Sequence, residues 1–514
     1  MLKFRFKKYL MWFMKIINIL YFSLPFLISF MITLFTFANV YLIWFTYFLW
    51  LSIFVGFFNF LTFFIMFLRA RRYETSLVGK YQNLRVAAFV TSYNEDPEIV
   101  KGTLRSVKVA LRGRGGVFLL DDSTDEKIVK ELSEFCKNNG IYYFHRSTRR
   151  GFKAGAINDA LKQIDDKYDL VAIFDADQRP NEDFFDEVIP YFNDEKIAFV
   201  QVPQKYTELR TKVAEGSRYQ QNPFLYLIMQ GRDYVSAFSL GSGTVYRISA
   251  LKEAGYIDES SITEDVSTSI SIHELGYKSR YVNKPLIWYG EPPTDINAYF
   301  IQQSRWSFGS FQVIKKILKS NLSFSAFVDY LSGWFYWLEA GPLTLFQLLA
   351  PPIFILLDIP IVRINPALYA LIYLPFVVFS FSFYGLVMRG KEYGLKGFLY
   401  HQFLEYMVFF PVTLSFLAWL FRKKVPFRVT PKGKTVKYSR QLIAHIFFLI
   451  LLYLTLIKGI IATYFTGNIL LKDALIINVA WATFHAAFLT GGFYFALKSN
   501  ASKAMPRSFL TAAT

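Results

Sequence analysis

A chain of 514 residues that is 53% hydrophobic and 19% aromatic is too apolar for an ordinary soluble protein and long enough for several domains. The net charge of +18 sits in basic clusters abutting apolar stretches, the pattern of cytoplasmic flanks of membrane segments, and argues against nucleic acid as a partner. The single Cys136 excludes an intramolecular disulfide and a cysteine metal cluster, and is expected on a helix over Lys127 to Lys137.

From Ile16 to Leu68 there is no Asp, Glu, Lys or Arg. At ~1.5 Å per residue this run outlasts one crossing of a ~30 Å hydrocarbon core, so residues 1–72 are expected to form a transmembrane hairpin turning near Thr36 to Val40. It is too long for a cleavable signal peptide. Over residues 73–320 charge returns and short β-like runs alternate with helical patterns, which reads as an α/β domain with a mostly parallel sheet in the cytoplasm. Strands are expected at Val86 to Thr91, Val117 to Leu120, Tyr142 to His145, Leu170 to Asp175 and Ala198 to Gln201, with helices such as Pro97 to Leu111 and Ala154 to Gln163.

Residues 321–498 are expected to be a second membrane domain, with apolar stretches at Tyr330 to Leu357, Pro366 to Met388, Gly397 to Phe421, Gln441 to Phe465 and Ala474 to Leu497. Both flanks of Gly397 to Phe421 are strongly basic, so the positive-inside rule keeps both in the cytoplasm and makes residues 397–421 an interfacial helix. The loops Asp358 to Asn365 and Thr466 to Lys472 then read as external. The expected count is two crossings before the soluble domain and four after it, with both termini cytoplasmic and a disordered tail over 499–514. A multi-pass protein of the plasma membrane is implied.

The residues suited to chemistry follow the strands. Thr91-Ser92-Tyr93-Asn94-Glu95 ends the first and offers a ring and a carboxylate to a nucleobase, and Asp121-Asp122 ends the second, able to accept hydrogen bonds from a uracil or ribose or, more simply, to cap a helix with Ser123. Lys153 opens a helix after a small-residue turn and suits a diphosphate. Asp175-Ala176-Asp177 emerges at a strand's carboxyl end, where hard carboxylates suit Mg²⁺ or Mn²⁺ and where ligands of open α/β sheets bind. Thr263-Glu264-Asp265 precedes an amphipathic helix over Val266 to Leu275 and is either a capping sequence or the seat of a general base, Asp265. Gln302, Arg305 and Trp306 share one helix face, combining a phosphate clamp with a flat indole for a sugar ring.

In this order the motifs resemble the membrane-integrated, processive inverting glycosyltransferases of the cellulose synthase type, in glycosyltransferase family two, from about Val86 to Leu497. Asp-Asp, Lys-Ala-Gly, Asp-x-Asp, Thr-Glu-Asp and Gln-x-x-Arg-Trp carry the resemblance. Phe427-Arg428-Val429-Thr430-Pro431-Lys432 is similar to the family's gating loop, within residues 425–437. The resemblance implies a GT-A-like catalytic domain and assigns Asp175 and Asp177 to the metal. It further implies that Thr91, Tyr93, Glu95, Asp121, Asp122, Lys153, Asp175, Gln302 and Arg305 hold the nucleotide. Asp265 would be the base, flanked by Thr263 and Glu264, while Trp306, Phe238, Gly241 and Ser242 receive the acceptor and Phe427, Val429, Thr430 and Lys432 close over the donor. Leu240 stands where cellulose synthases usually have Cys, and Gln303-Ser304 replaces the usual Arg-Gly. Only a short tail follows the last crossing, so no cyclic-dinucleotide-binding barrel is expected.

The implied activity is polymerisation of a β-linked glucan from UDP-glucose, with export of the growing polysaccharide across the bilayer and room for an external accessory subunit. Three other readings compete with it. A non-processive enzyme transferring one sugar to a lipid acceptor would have less need of Trp306 and Thr430, and a hyaluronan, chitin or mannan synthase would share the carboxylates. A transporter with an inactive domain would carry more ionisable groups in its spans than the few seen, such as Glu339.

Overall fold

The computed structural model describes residues 37–38, 42–70, 83–164, 167–207, 209–290, 292–363, 365–388, 393–423 and 440–498. The first expected crossing, the loop Phe427 to Lys432 and the tail after 498 lie outside the described residues.

Nearly unbroken apolar runs build the centre of the soluble domain, as strands buried on both faces require. Strands β1 (Val86–Ser92), β2 (Gly115–Asp121), β3 (Tyr142–His145) and β4 (Leu170–Asp175) lie in the order β3-β2-β1-β4, all parallel. Side-chain alternation splits them between two cores: Val86, Ala88 and Val90 pack with Leu104 and Phe174 on one face, and Ala87 and Phe89 with Ile157 and Ile173 on the other. Helix α1 (Ile43–Ala70) precedes the sheet, while α2 (Pro97–Leu111), α3 (Glu126–Asn138) and α4 (Phe152–Ile164) cover it. The caps are local: the Asp96 side chain accepts from the Glu98 N–H and Pro97 fills the first helical position, whereas Asp125, and not Asp121 or Asp122, caps α3. Cys136 is buried on α3, and burial pushes its thiol up to about 12.

The sheet continues beyond β4 in a way the sequence reading saw only in its strand at Ala198 to Gln201. A short strand β5 (Arg179–Pro180) branches off, and the main sheet goes on through β6 (Ile197–Gln201), β7 (Thr244–Arg247) and β8 (Lys278–Tyr281), giving seven strands in the order β3-β2-β1-β4-β7-β6-β8. β7 runs antiparallel to both β4 and β6, so the sheet is mixed. β9 (Ile287–Tyr289) pairs with β5. Strands β7 and β8 were overlooked because each is only four residues long and lacks a strong period.

Between β6 and β7 lies α5 (Lys212–Pro223), and after β7 come α6 (Glu264–Glu274) and the long α7 (Ile296–Lys319). Helix α6 starts two residues before the expected Val266, which puts Glu264 and Asp265 inside its first turn. The helix dipole favours carboxylates there.

Five of the described helices are long and apolar enough to cross a membrane. They are α1, the continuous stretch made by α8 (Phe324–Leu338) and α9 (Thr344–Leu357) through a π-turn at Glu339–Leu343, then α10 (Pro366–Val387), α13 (Leu442–Phe465) and α14 (Ile469–Lys498). Helix α8 begins six residues earlier than the Tyr330 start read from hydropathy, because Ser323 caps it and Arg69 neutralises the early Asp329. Gly397 to Phe421 is not one helix but two, α11 (Gly394–Tyr406) and α12 (Phe409–Leu420), bent by 43°. Pro411 lacks the N–H that would bond the Met407 carbonyl, and His445 Nε2 donates to that carbonyl at 2.8 Å instead.

Candidate functional site

The parallel register brings the sequence motifs to one edge of the sheet. Ser92 is level with Asp121, Thr91 with Asp175, and Asp121 with His145, so Tyr93, Asp122 and Asp177 all leave the carboxyl ends of neighbouring strands. The chain order reverses beside β1, and such a switch opens a crevice.

Lys153 ties the two halves of the site together. Its Nζ pairs with Asp175 and donates to the Gly241 carbonyl at 2.7 Å. Gly241 turns through φ +77°, a left-handed conformation suited to glycine, and a Cβ built on it would stand 3.2 Å from Asp265 Oδ2 and 3.7 Å from Lys153 Nζ. Asp175, Lys153, Gly241 and Asp265 therefore converge on one point, although they come from β4, α4, the turn before β7 and α6. Ser242 is fully buried and its Oγ accepts from the Asp175 N–H at 2.9 Å.

The electrostatics follow from this crowding. Burial pulls the Lys153 ammonium down, but Asp175, Glu264 and Asp265 outweigh it and the net shift is upward. Burial, then the adjacent Glu264 carboxylate, push the Asp265 carboxyl up to about 7, and burial raises Glu264 as well. Asp265 Oδ1 accepts from the Val266 N–H at 2.8 Å, which fixes the side chain at the helix start.

Helix α7 closes the other side. Gly309 packs so closely on Thr263 that a Cβ would overlap it, Gln312 accepts from the Ile262 N–H at 3.2 Å, and Lys316 pairs with Asp258 at 3.1 Å. Gln302, Arg305 and Trp306 lie one to two turns earlier on this same stripe, so the Gln-x-x-Arg-Trp segment runs beside Thr263-Glu264-Asp265. Arg305 is close enough to Glu264 to stabilise its charge. Gln302 is buried, with Nε2 donating to Tyr206 Oη at 3.3 Å.

Other expected site residues are engaged by neighbours. Asp121 accepts from Ser123 Oγ at 2.6 Å and Tyr143 Oη at 2.9 Å. Asp122 is held by Arg146 at 2.9 and 2.6 Å. The Phe238 ring packs with Phe224 and Tyr330, under the Arg232 guanidinium. Thr91 Oγ1 donates to the Phe174 carbonyl at 3.4 Å, and Glu95 is half-buried just beyond Tyr93.

Three residues were not foreseen. Gln201 is fully buried at the end of β6; its Nε2 donates to the Ser242 carbonyl at 2.9 Å and its Oε1 accepts from the Leu240 N–H at 2.7 Å, clamping the Gly241 turn. Gln204 donates to the Ser242 carbonyl at 3.2 Å. Tyr206 accepts from both Gln221 and Gln302 and sits near Asp177. A buried glutamine after an apolar strand is the one signal available, and it needs tertiary context to mean anything.

A divalent cation fits the donor set. Asp175 and Asp177 supply hard oxygens two residues apart, and among the described residues no group of three or more His, Cys, Asp or Glu gathers to enclose a metal. Mg²⁺ and Mn²⁺ suit such open sites, where substrate phosphates complete the shell.

Residues 84–309 match the model of the family described as glycosyltransferase like family 2. The chain is 26% identical over 360 residues to the cellulose synthase catalytic subunit [UDP-forming] of Pseudomonas fluorescens, covering 68% of this chain and 47% of that protein. It is 32% identical over 213 residues to a probable glucomannan 4-beta-mannosyltransferase of Arabidopsis thaliana, covering 39% of each. The chain thus spans about half the length, or less, of these relatives. Among solved structures a mannosyltransferase of Pyrobaculum calidifontis, in complex with GDP-Man and Mn²⁺, has the same fold over 73% of this chain and all of its own, with a TM-score of 0.50 and 16% identity. Residues 84–309 therefore match glycosyltransferase family 2, the longer chain is similar to cellulose synthase catalytic subunits, and the matched region is set against a bundle of apolar helices.

Proposed function

We propose that the protein is a processive, inverting glycosyltransferase that builds a β-linked glucan from UDP-glucose and passes it across the plasma membrane. The observation that carries this reading is the convergence of Lys153, Asp175, Gly241 and Asp265 beside the helix stripe bearing Trp306. A donor diphosphate lies between Lys153 and Arg305, with Gln302 beside it. The acceptor hydroxyl oxygen attacks the anomeric carbon, its proton passes to Asp265, and the bond to the diphosphate breaks with its electron pair on the leaving nucleotide. Attack opposite the leaving group inverts the carbon. Asp175 and Asp177 would hold a divalent metal, which would supply positive charge against the leaving diphosphate. Trp306 is the floor on which the acceptor sugar stacks, and Gly241 and Ser242 shape the turn facing it.

Processivity is supported by how α7 is mounted. Its opposite face carries Phe311 against Trp334, Phe416 and Trp419, and Phe300 stacked on His445, so the acceptor end of the site is built on the membrane bundle itself. The closing role of Phe427, Val429, Thr430 and Lys432, the cytoplasmic side of the domain and an external accessory subunit rest on the resemblance and the basic flanks.

A mannosyl donor is the second reading, favoured by the similarity to a glucomannan mannosyltransferase. Membranes containing the protein, given Mn²⁺ and in turn UDP-glucose and GDP-mannose, test both. A polymer from UDP-glucose supports the first, a polymer from GDP-mannose the second. Single sugars transferred to lipid overturn processivity.

A further inference from the structure

The proposed reaction uses the diphosphate and the sugar, but leaves open what reads the base. Tyr93, the ring expected to receive it, is already covered: the Arg149 guanidinium carbon lies 3.3 Å from the ring centroid. That guanidinium also approaches Phe152, at 5.4 Å. Its Nε is buried and, among the described residues, has no hydrogen-bond partner. The nearest carboxylate, Asp122, is 3.9 Å away with both oxygens taken by Arg146. The surrounding turn is firmly held, because Asn94 Oδ1 accepts from the Thr124 N–H at 2.8 Å and the Asn94 N–H donates to Ser123 Oγ at 2.8 Å.

A base seated at the ends of β1 and β2 must therefore meet Arg149 and not a bare tyrosine face. A guanidinium only donates hydrogen bonds. Uracil and guanine present keto oxygens on the edge that distinguishes bases, whereas cytosine and adenine present amino groups there and would set donor against donor. We infer that Arg149, stacked on Tyr93, selects nucleoside diphosphates with a keto base, uracil or guanine, over those with an amino base. This rests on the nucleotide-sugar reading above and deepens it, since UDP and GDP donors are the ones the two readings of the product require.

The test is calorimetric titration of the full-length protein in detergent with UDP, GDP, CDP and ADP, each with Mn²⁺. The wild type should bind UDP or GDP about tenfold or more tighter than CDP and ADP, the worth of a charge-assisted hydrogen bond. Arg149→Met should bring the four within about threefold of one another. Arg149→Lys keeps the charge but loses the planar fork, and should likewise flatten the preference. The inference is overturned if the wild type shows no keto preference, or if both variants weaken all four nucleotides alike and keep their order. If none of the four binds to the wild type, the nucleotide-sugar reading itself fails.

Discussion

At the scale of single residues, Asp265 and Lys153 give the sharpest expectations. A base works only when deprotonated, and the Asp265 carboxyl is held up to about 7 by burial and by Glu264. The rate of transfer should therefore fall as pH drops through about 7, and flatten above it, in a pH–rate profile taken with saturating donor. Asp265→Asn keeps the size and removes the base, so transfer should fall by about 10² to 10⁴ while nucleotide binding, measured by titration, survives. Equal loss of both would remove Asp265 from the base role. Lys153 touches Asp175 and the Gly241 carbonyl together, so Lys153→Ala should weaken donor binding and disturb the acceptor turn at once.

At the scale of elements, the site depends on α6 and α7 keeping their distance. Gly309 lies against Thr263 with no room for a methyl group, and Asp258 accepts from Ser260, Ser267 and Lys316 to brace the same loop. These bonds hold the Asp258 carboxyl well below the usual range despite its burial. Gly309→Ala should push the Thr263 segment away from α7 and lower kcat by about tenfold or more, since small misplacements of reacting groups are costly. Thermal unfolding measured alongside would show whether the loss is merely global. The bend between α11 and α12 has its own device, His445 donating to the carbonyl that Pro411 leaves bare. His445→Leu strands that carbonyl and should cost about 1–3 kcal/mol of stability, read as a lower Tm in detergent.

At the scale of the whole molecule, a buried ionic knot joins the catalytic domain to the membrane helices. Asp329 near the start of α8 pairs with Arg69 at the end of α1 at 2.8 Å and accepts from Ser236 Oγ, while Arg232 donates to the Asp329 carbonyl and to Ser332. Arg232 and Asp329 are almost fully buried. Asp329→Ala would leave two arginines facing each other without a counter-charge, and breaking such a pair costs about 3–5 kcal/mol. The variant should unfold at a markedly lower temperature. A double change of Arg69 and Asp329 to apolar residues should recover only the part of that loss due to Arg69, because Arg232 stays buried without its counter-charge.

How much was legible follows from the range of the forces involved. Strands β1 to β4 and the Asp-x-Asp edge could be read because doubly buried parallel strands leave long apolar runs in the chain, and helix α7 because Gln302, Arg305 and Trp306 repeat at helical spacing. Hydropathy likewise marked the stretches that hold the described membrane-length helices, although it ran α11 and α12 together, since the bilayer acts on composition alone. The sequence could not reveal that β7 enters the sheet antiparallel, that Gln201 clamps the Gly241 turn, that Arg149 covers Tyr93, or that Asp329 is paired from a residue far back in the chain. Each of those is a contact between distant segments, fixed only when burial forces polar groups to find partners wherever the fold has placed them. The chemistry of the residues was written locally; the point at which they meet was decided by packing.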